Sequence, residues 1–498
     1  MNDELLCHDF FYIGGEWRKP AGSDLLPVFS PATEEEVGHV PLATDDDVDA
    51  AVNAARAAIE PDSPWSRTTF AERAGYLAAL VAGIEARRDE LAYLNTLEGG
   101  QPLQKSQGHI DAALQVLRFY TDLGASYAVE DVRTGRDNTI VVRREPVGVV
   151  GSIVPWNAPL PITFYSLAPA LLTGCSVVLK PAPETPLHAQ LLARIVDAAG
   201  LPAGVVNVLP ADRGPSQALV AHPGVDKISF TGSTDTGRIV GRICGEQLKS
   251  HTLELGGKSA AILLDDADLT RCMPMVVGTA LTNSGEACVG QTRTLVPRAR
   301  YREVLDAFVD LAAAVKVGDP LDETTGIGPL ITSRQRERVE SYIAQGRAEG
   351  ARLVLGGGRP AGLDRGWFVE ATVFADVDNR MSIAQNEIFG PVSSLIPYDT
   401  LDEAVGLAND SRYGLSGTVW TEDLERGMSV ARRIRTGNFG VNHFNLDPAA
   451  PFGGYKESGV GRQLGVEGLA WYQEYKAIQL PPGSEAAVAP YVLEPGRG

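Results

Sequence analysis

Short apolar runs that alternate with helix-like stretches mark the middle of the chain. Four such runs begin at about Val147 and cover 147–154, 176–180, 205–209 and 227–231. Near-continuous apolar strands separated by helices indicate a parallel sheet that is covered on both faces. Because ligands of such sheets bind at the carboxyl ends of the strands, the residues just after each run are candidates for a functional site.

The segment before this sheet predicts a hairpin and three covering helices. Two threonines, each followed three positions later by an acidic residue, form capping boxes that open helices. The predicted elements are a hairpin over 11–17, a helix from Thr44 to about Ile59, a helix from Thr69 to about Asn95 and a helix over about 108–126.

Composition and charge restrict the kinds of partner. The 498 residues carry a formal net charge of −19, which disfavours nucleic acid and anionic membranes. No stretch is apolar for long enough to span a bilayer, and the acidic N-terminus lacks the basic start of a signal peptide. The five cysteines form no CxxC pair, and the seven histidines show no metal-binding spacing. The sequence therefore predicts a cytoplasmic protein without disulfides or a metal site.

One cysteine stands in a stretch that suits nucleophilic chemistry. Cys288 follows a polar run over 283–286 and precedes Val289 and Gly290, which are small and leave room for a ligand. A thiolate is a strong nucleophile, although a free thiol is only slightly ionised near neutral pH. The alternative is that Cys288 is a small buried apolar residue, as most cysteines are.

Two polar residues near strand ends offer chemistry that a thiol nucleophile requires. Asn157 follows the first run and can donate its amide to a developing oxyanion, or else cap the next helix. Glu254 stands between two leucines, where burial would raise the pKa of its carboxyl and make it a general base. The alternative is that Glu254 faces water at a strand edge.

Two further strand ends suit a nucleotide. Lys180 ends the second run and can bind ribose or phosphate, unless it is a solvated surface lysine. Gly232 and Ser233 follow the fourth run at a helix start, where backbone N–H groups and the helix dipole favour an anion. The same turn can be a plain N-cap, and the GxGxxG fingerprint of dinucleotide sites is absent from it.

The order of these residues resembles that of the NAD(P)-dependent aldehyde dehydrogenase superfamily, in its hydrolytic, non-acylating form. The stretch Gln-Asn-Glu-Ile-Phe-Gly-Pro over 385–391 is similar to the family's cofactor-clamping motif. The stretch Pro-Phe-Gly-Gly-Tyr-Lys-Glu-Ser-Gly over 451–459 is similar to its glycine-rich closing motif. The resemblance covers nearly the whole chain, and its ordered set is Asn157, Lys180, the 232–237 turn, Glu254 and Cys288.

The resemblance implies an α/β fold in three parts. A Rossmann-like cofactor domain would comprise 1–126 and 147–256, and an α/β catalytic domain would span 257–456. A small β oligomerisation element would combine 127–146 with 470–498. Family members assemble through these strands as dimers or tetramers, so a homo-oligomer is expected, with a homotetramer as one form.

The resemblance also implies roles for individual residues. Cys288 would attack the aldehyde carbonyl, the Asn157 amide and the Cys288 backbone N–H would hold the oxyanion, and Glu254 would activate the water that releases the acid. Lys258 would support the site. The implied cofactor contacts are Trp156, Lys180, Gly232 and Ser233 on the adenosine and pyrophosphate side, Glu387 and Phe389 at the nicotinamide and its ribose, and Gly237 and Leu255. The implied tunnel residues are Ala158, Tyr165, Ala287, Val289, 443–446 and Phe452.

Departures from the family pattern bear on cofactor and substrate. Many relatives that prefer NAD carry a glutamate three positions after the lysine; here that position is Pro183, so NADP stays open beside NAD. Ala158 stands where relatives often carry an aromatic ring, which widens the tunnel. No arginine pair or aromatic cage is evident for a second carboxylate or a quaternary ammonium. This favours an uncharged aliphatic or aromatic aldehyde over a semialdehyde or betaine aldehyde.

Three other functions stay open. A CoA-acylating enzyme would intercept the thioester with CoA, but acylating members usually lack the base at the position of Glu254. A thiol hydrolase would need a cysteine–histidine pair, and His251 shows no partner pattern. A catalytically idle scaffold with this fold would not need Cys288, Glu254 and Asn157 together.

Overall fold

The computed structural model of the protein describes residues 5–485 and Val488; residues 1–4, 486–487 and 489–498 lie outside it, and with them the last part of the predicted oligomerisation segment. Its strands are β1 (Phe11–Ile13), β2 (Glu16–Arg18), β3 (Leu25–Phe29), β4 (Glu36–Pro41), β5 (Glu130–Thr134), β6 (Thr139–Pro146), β7 (Val149–Ile153), β8 (Ser176–Lys180), β9 (Val206–Val208), β10 (Lys227–Thr231), β11 (Ser250–Glu254), β12 (Ala260–Leu263), β13 (Arg293–Pro297), β14 (Arg352–Leu355), β15 (Thr372–Ala375), β16 (Val392–Tyr398), β17 (Gly417–Trp420), β18 (Gly440–Val441), β19 (Gly459–Val460) and β20 (Gln473–Leu480). Its α-helices are α1 (Asp45–Ala58), α2 (Phe70–Ala86), α3 (Arg88–Gly99), α4 (Leu103–Gly124), α5 (Pro159–Thr173), α6 (Leu187–Ala198), α7 (Arg213–Ala221), α8 (Thr234–Glu246), α9 (Leu269–Ala280), α10 (Tyr301–Ala313), α11 (Ser333–Ala348), α12 (Ser382–Gln385), α13 (Leu401–Asn409), α14 (Leu424–Ala431) and α15 (Gly465–Ala470).

An eight-stranded sheet contains all four predicted apolar strands, in the order β19-β11-β10-β7-β8-β9-β1-β2. The five strands from β11 to β9 run parallel, as the apolar runs predict. The chain adds β8 and β9 on one side of β7, then β10 and β11 on its other side. The strand order therefore reverses beside β7, and such a switch point opens a crevice at the carboxyl ends of the strands.

Helices bury both faces of this sheet. Every residue of α5 is buried, which is typical of a helix enclosed by protein on all sides. Side chains of α2, α4, α5 and α6 form one apolar core, and side chains of α1, α7 and α8 form a second. All residues of β7 and β8 are buried in consequence, which explains why these strands lack a polar face.

A seven-stranded sheet carries the second half of the chain, in the order β14-β15-β16-β13-β12-β17-β18. Its strands run parallel except for the antiparallel pair β14 and β15. The connection from β12 to β13 passes through α9 and contains Cys288. β19 follows this sheet in the chain but pairs with β11, so the segment after it returns to the first sheet.

A separate three-stranded antiparallel sheet has the order β20-β6-β5. Gln473 lies opposite Pro146 and Leu480 lies opposite Thr139. Most of β20 is exposed. It lies at an edge of the sheet, where its free backbone groups can pair with another strand.

The predicted helix from Thr69 to Asn95 is wrong in one respect, because the structure has two helices there. Arg87 leaves the helical backbone conformation, with φ −118° and ψ 23°, between α2 and α3. Its guanidinium pairs with Glu90 in the first turn of α3 at 2.7 Å. Periodicity alone did not reveal this break, because apolar positions continue through it.

The other N-terminal predictions are confirmed with shifted bounds. The hairpin forms with Phe11 opposite Arg18, and both capping boxes are present, at Thr44 and at Thr69. The helix predicted from about residue 108 already begins at Leu103, after a proline at the capping position.

Candidate active site

The three residues predicted to carry the chemistry meet in one cavity. Cys288, Glu254 and Asn157 all line a cavity of about 570 Å³. Asn157 follows β7 and Glu254 ends β11, both in the first sheet, whereas Cys288 lies in a connection of the second sheet. The cavity is therefore built from both sheets.

Cys288 carries a half-buried thiol. Burial raises the pKa of this thiol to about 12, and the nearby carboxylates of Glu387 and Glu254 act in the same direction. The thiol is therefore protonated at neutral pH in the protein alone. A base or a positive charge beside it is needed to favour the thiolate.

The turn before Cys288 has an unusual backbone. Asn283 (φ 55°, ψ 44°) and Ser284 (φ 56°, ψ 25°) both adopt the left-handed conformation, which residues other than glycine rarely do. The Ser284 hydroxyl accepts a hydrogen bond from the Gly328 N–H at 3.0 Å. Such strain persists only where the surroundings fix it, and it concentrates at functional sites.

Asn157 is tied to this turn by side-chain amides. Its Nδ2 donates to the Glu286 carbonyl oxygen at 2.9 Å. The main-chain carbonyl oxygen of Asn157 accepts hydrogen bonds from Asn283 Nδ2 at 2.7 Å and from Gln101 Nε2. Asn157 does not cap the next helix, because Ala158 is the N-cap of α5. No role for Asn283 or Gln101 was predicted from the sequence, because no local pattern joins them to Asn157.

Glu254 is a buried carboxyl with 3% of its surface exposed. Among the described residues, neither of its carboxylate oxygens has a hydrogen-bond partner. Burial holds the pKa of Glu254 well above its ordinary range, and Arg462 opposes this weakly. The alternative that Glu254 faces water is wrong, because β19 pairs with β11 and places Gly459 opposite it. A cavity carboxyl with a raised pKa is suited to general-base work.

The Gly256–Gly257 pair after Glu254 has a steric reason. A Cβ on Gly256 would lie 2.5 Å from Glu387 Oε2, and a Cβ on Gly257 would lie 2.2 Å from the Cys288 carbonyl oxygen. Both distances are shorter than real Cβ contacts. Glycine at these positions therefore lets the Glu387 side chain and the Cys288 backbone approach the end of β11 closely.

We expect Gly257→Ala to lower kcat by about a hundredfold, since a displacement of about 1 Å at the nucleophile has that order of effect. Steady-state rates with a saturating aldehyde measure it, and circular dichroism checks the fold. Gly241→Ala is the matched control, because its Cβ would meet only Leu253 Cδ1, at an ordinary 3.5 Å. Equal rates for the two variants would contradict this account of Gly257.

Glu387, Phe389 and Trp156 lie around the same end of β11. Glu387 Oε1 accepts the Gly257 N–H at 2.9 Å. Phe389 has a left-handed backbone, with φ 63°, and its ring meets the Trp156 ring edge-on at 5.3 Å between centroids. Trp156 was predicted on the adenosine side of the cofactor. In the structure it contacts Phe389, which was predicted at the nicotinamide end.

Helix α11 holds the loop that carries Glu387 and Phe389. Gln335 Nε2 donates to the Phe389 carbonyl oxygen at 2.6 Å, and Arg338 donates to the Glu387 carbonyl oxygen at 2.8 Å. Gln335 and Arg338 were not predicted as site residues, because in the sequence they resemble ordinary polar positions of a helix.

Lys180 is buried at the carboxyl end of β8. Burial lowers the pKa of its ammonium to about 8, and the carboxylates of Glu184 and Asp212 oppose this shift. The alternative of a solvated surface lysine is therefore wrong. A buried lysine beside the switch point can donate to a hydroxyl or phosphate of a ligand.

The turn with Gly232 and Ser233 is an N-cap, as one of the two interpretations predicted. Ser233 Oγ accepts the Thr236 N–H of α8 at 3.3 Å. A Cβ on Gly237 would lie 2.5 Å from Leu255 Cδ2, so Gly237 lets α8 pack closely against the residue that follows β11. The start of α8 consequently lies at the carboxyl end of β10, where its N–H groups favour an anion.

Lys258 is also buried, and its Nζ has no hydrogen-bond partner among the described residues. Burial lowers the pKa of Lys258 to about 7, and the nearby Arg293 adds to the shift, whereas Glu387 opposes it. Lys258 thus lies close enough to Glu387 to influence its charge.

The residues predicted to form a substrate tunnel line the catalytic cavity. They are Ala158, Tyr165, Ala287, Val289 and Phe452, and of the range 443–446 they include Phe444, Asn445 and Leu446 but not His443. The Tyr165 and Phe452 rings contact each other at 5.9 Å between centroids. A further wall from α4 and α9 was not predicted; it consists of Lys105, Gly108, His109, Asp111, Ala112, Gln115, Met275, Gly278 and Thr279.

The described residues contain neither a metal-binding cluster nor a membrane-spanning helix. Within residues 5–485 and Val488, no three histidine, cysteine, aspartate or glutamate side chains are grouped so as to hold a metal ion. In that same part of the chain, every helix is too short or too polar to cross a membrane.

Comparison with known proteins identifies the family. The model of the aldehyde dehydrogenase family matches residues 17–478. Geranial dehydrogenase of Castellaniella defragrans is 46% identical over 476 residues, which cover 95% of this chain and 99% of that protein. The chain belongs to the aldehyde dehydrogenase family, so the predicted family and the predicted enzymatic oxidation of an aldehyde are confirmed.

Solved structures agree with the predicted fold class. The Mycobacterium tuberculosis aldehyde dehydrogenase complexed with NAD+ matches with a TM-score of 0.94 at 49% identity, covering 96% of this chain and 99% of the other. Aldehyde dehydrogenase C of Pseudomonas syringae, in complex with NAD+ and octanal, matches with a TM-score of 0.91 at 44% identity, covering 94% and 96%. The α/β fold with a Rossmann-like part is therefore confirmed.

Proposed function

We propose that the protein oxidises an uncharged aliphatic or aromatic aldehyde to the free carboxylic acid, with NAD as the cofactor. The observation that carries this proposal is the meeting of Cys288, Asn157 and the buried Glu254 in one largely apolar cavity. Both solved relatives named above hold NAD+, and one of them also holds octanal.

The first half of the reaction belongs to Cys288 and Asn157. The thiolate of Cys288 attacks the aldehyde carbon, and the carbonyl oxygen becomes an oxyanion. The Asn157 side-chain amide, held by its hydrogen bond to the Glu286 carbonyl oxygen, donates its second N–H to that oxygen, together with the Cys288 backbone N–H. Collapse of the thiohemiacetal expels the aldehyde hydrogen as hydride and leaves a thioester on Cys288.

The second half belongs to Glu254. Its carboxylate takes a proton from water, the hydroxide attacks the thioester carbon, and the acid leaves with the Cys288 sulfur restored as a thiolate. The raised pKa of Glu254 makes it a stronger base than a solvated carboxylate. A CoA-acylating enzyme needs no such base, and so the buried Glu254 favours hydrolysis.

The residues at the switch point fit an NAD molecule. Lys180 and the start of α8 with Gly232 and Ser233 would hold the ribose and pyrophosphate, while Glu387, Phe389 and Trp156 would hold the nicotinamide end. A bound oxidised nicotinamide would supply a positive charge and a hydride acceptor for the reaction. The fit rests on the buried Lys180 ammonium and on the Glu387 carboxyl, which lies against Gly256 and Gly257 at the end of β11.

We expect the affinity for NAD to rise as the pH rises through about 7. Burial raises the pKa of Glu387 to about 7, so its carboxylate is protonated below that pH and ionised above it. The ionised form accepts hydrogen bonds from ribose hydroxyls more strongly. Calorimetric titration of the Cys288→Ala variant, which binds without turnover, measures this dependence. Glu387→Gln should bind weakly at every pH, and an unchanged pH profile in that variant would contradict the role.

The test of the proposed function is formation of reduced cofactor with NAD and with NADP across a panel of aldehydes. The panel contains propanal, octanal, geranial, benzaldehyde, succinic semialdehyde and betaine aldehyde, each with and without CoA. Turnover of uncharged aldehydes without CoA supports the proposal, and the ratio of the two cofactors resolves the effect of Pro183. Turnover of charged aldehydes alone, or only with CoA, would overturn it.

The assembly and the location of the protein are proposals. We infer a homo-oligomer, a dimer or a tetramer, because β20 presents a long exposed edge that another chain can extend. We infer a cytoplasmic enzyme from its free, widely spaced cysteines. The domain limits at 126, 146, 256 and 456 are likewise proposed.

A further inference from the structure

Two helical glycines in the cavity wall have no structural reason to be glycine. Gly108 lies inside α4 and Gly278 lies inside α9, and both line the catalytic cavity. Neither has a positive φ, and a Cβ on either would meet nothing within 4 Å. Glycine in a helix is less favourable than alanine, so these positions lose helix stability without a gain in packing.

Both positions are exposed, and a side chain placed there would meet open space beside the cavity. On α4, Ala112 follows Gly108 by one helical turn and therefore lies on the same face, and it lines the cavity too. Ala158 and Ala287 add two more small side chains to the wall. Five positions of the wall thus carry no side chain or only a methyl group, beside larger residues such as Met275, Phe444 and Phe452.

A second cavity continues from Gly278. It has a volume of about 250 Å³ and shares Lys105, Gly278 and Thr282 with the catalytic cavity. Its remaining wall is mainly apolar, formed by Pro274, Val277, Leu281, Leu311, Val315 and Gly326. With no side chain at position 278, nothing from that position separates the two spaces.

The polar side chains of this wall place little net charge in the cavity, and they therefore offer no partner for a charged substrate. Burial lowers the pKa of His109 to about 4, so its imidazole is neutral at working pH. The carboxylate of Asp111 is paired with Arg88 at 2.6 Å. Lys105 is exposed, and solvent therefore screens its charge.

We propose that Gly108 and Gly278 are specificity residues that admit uncharged aldehydes with a wide body, branched or ring-bearing, beyond the carbonyl carbon. This rests on the proposed function, since it assumes that the cavity receives an aldehyde at Cys288. A cavity of about 570 Å³ is in the range that encloses drug-sized ligands. A short straight chain would leave most of it empty.

The experiment replaces each glycine by leucine and compares kcat/KM for geranial and benzaldehyde with that for propanal. We expect Gly108→Leu and Gly278→Leu to lower kcat/KM for the two wide aldehydes by about tenfold or more. The value for propanal should change by no more than about twofold, because a slim chain still passes. Gly108→Ala and Gly278→Ala should lower kcat/KM by less, and again more for the wide aldehydes than for propanal.

Gly75→Leu and Gly406→Leu are the matched controls. Both glycines are exposed in helices, α2 and α13, with nothing within 4 Å of a Cβ, and neither lines the cavity. These two variants should leave kcat/KM unchanged for the wide aldehydes and for propanal. Retained propanal activity shows that the cavity variants fold, because it needs the intact site.

The outcomes separate the two proposals. If the unmodified protein turns over no aldehyde, the proposed function fails. Suppose that the unmodified protein turns over wide aldehydes and propanal. If the leucine variants then keep kcat/KM for both, or lose it equally for both, the role of Gly108 and Gly278 is overturned while the proposed function stands.

Discussion

Cys288→Ala is expected to lower the rate of aldehyde oxidation by at least about four orders of magnitude, because no other group in the cavity can form the thioester. The other four cysteines lie outside the cavity lining, so none can replace it. Binding of NAD should change by no more than about twofold, since the residues proposed to hold the cofactor stay in place. Stopped-flow formation of reduced cofactor and calorimetric binding measure the two quantities.

Cys7→Ala is the control for this variant. Cys7 is exposed and lies outside the cavity, and its loss should leave the rate unchanged. If Cys288→Ala kept more than a few per cent of the activity with its fold intact, covalent catalysis by this thiol would be wrong.

Glu254→Gln is expected to separate the two halves of the reaction. Glutamine keeps the shape of the side chain but cannot take a proton from water, so hydrolysis of the thioester should slow by about 10² to 10⁴-fold. Attack by Cys288 and loss of hydride do not use this carboxyl. Rapid mixing should therefore show a burst of reduced cofactor equal to the enzyme concentration, followed by slow turnover.

The size of that burst decides what Glu254 does. Loss of the burst would mean that Glu254 removes the proton from the Cys288 thiol, whose pKa burial raises to about 12. A burst with unchanged turnover would show that another group activates the water. Only a full burst with slow turnover agrees with Glu254 as the base of the second half.

Features that depend on local pattern were predictable from the sequence. The apolar runs gave the parallel strands of the first sheet, and the capping boxes at Thr44 and Thr69 gave two helix starts. Gly232 and Ser233 were placed at a helix start for the same reason. Cys288, Glu254 and Asn157 were joined by their resemblance to a family, since their positions along the chain do not by themselves show that they meet.

Features that depend on distant contacts were not predictable. Gln101 and Asn283 bind the Asn157 carbonyl oxygen across the fold, and neither residue type signals this. The break at Arg87 was missed because side-chain periodicity does not report a single non-helical backbone conformation. Gly108 reads as a neutral position in a helix until the cavity beside it is seen.

Burial also changed the meaning of charged residues. Lys180 and Glu254 each had a solvated alternative, and the structure shows both to be buried. A sequence shows the neighbours of such a residue in the chain, but the pKa depends on how much water the fold removes from around it. The strand that covers Glu254 is β19, which arrives from the far end of the chain.

The most direct test of the account is to find the acyl group on the nucleophile. Glu254→Gln is mixed with NAD and the best aldehyde of the panel, quenched with acid during the burst, digested and analysed by mass spectrometry. If Cys288 is the nucleophile, the peptide containing it gains the mass of the acyl group, in proportion to the reduced cofactor formed. Reduced cofactor with no adduct on that peptide, or with the adduct on another residue, would contradict covalent catalysis by Cys288.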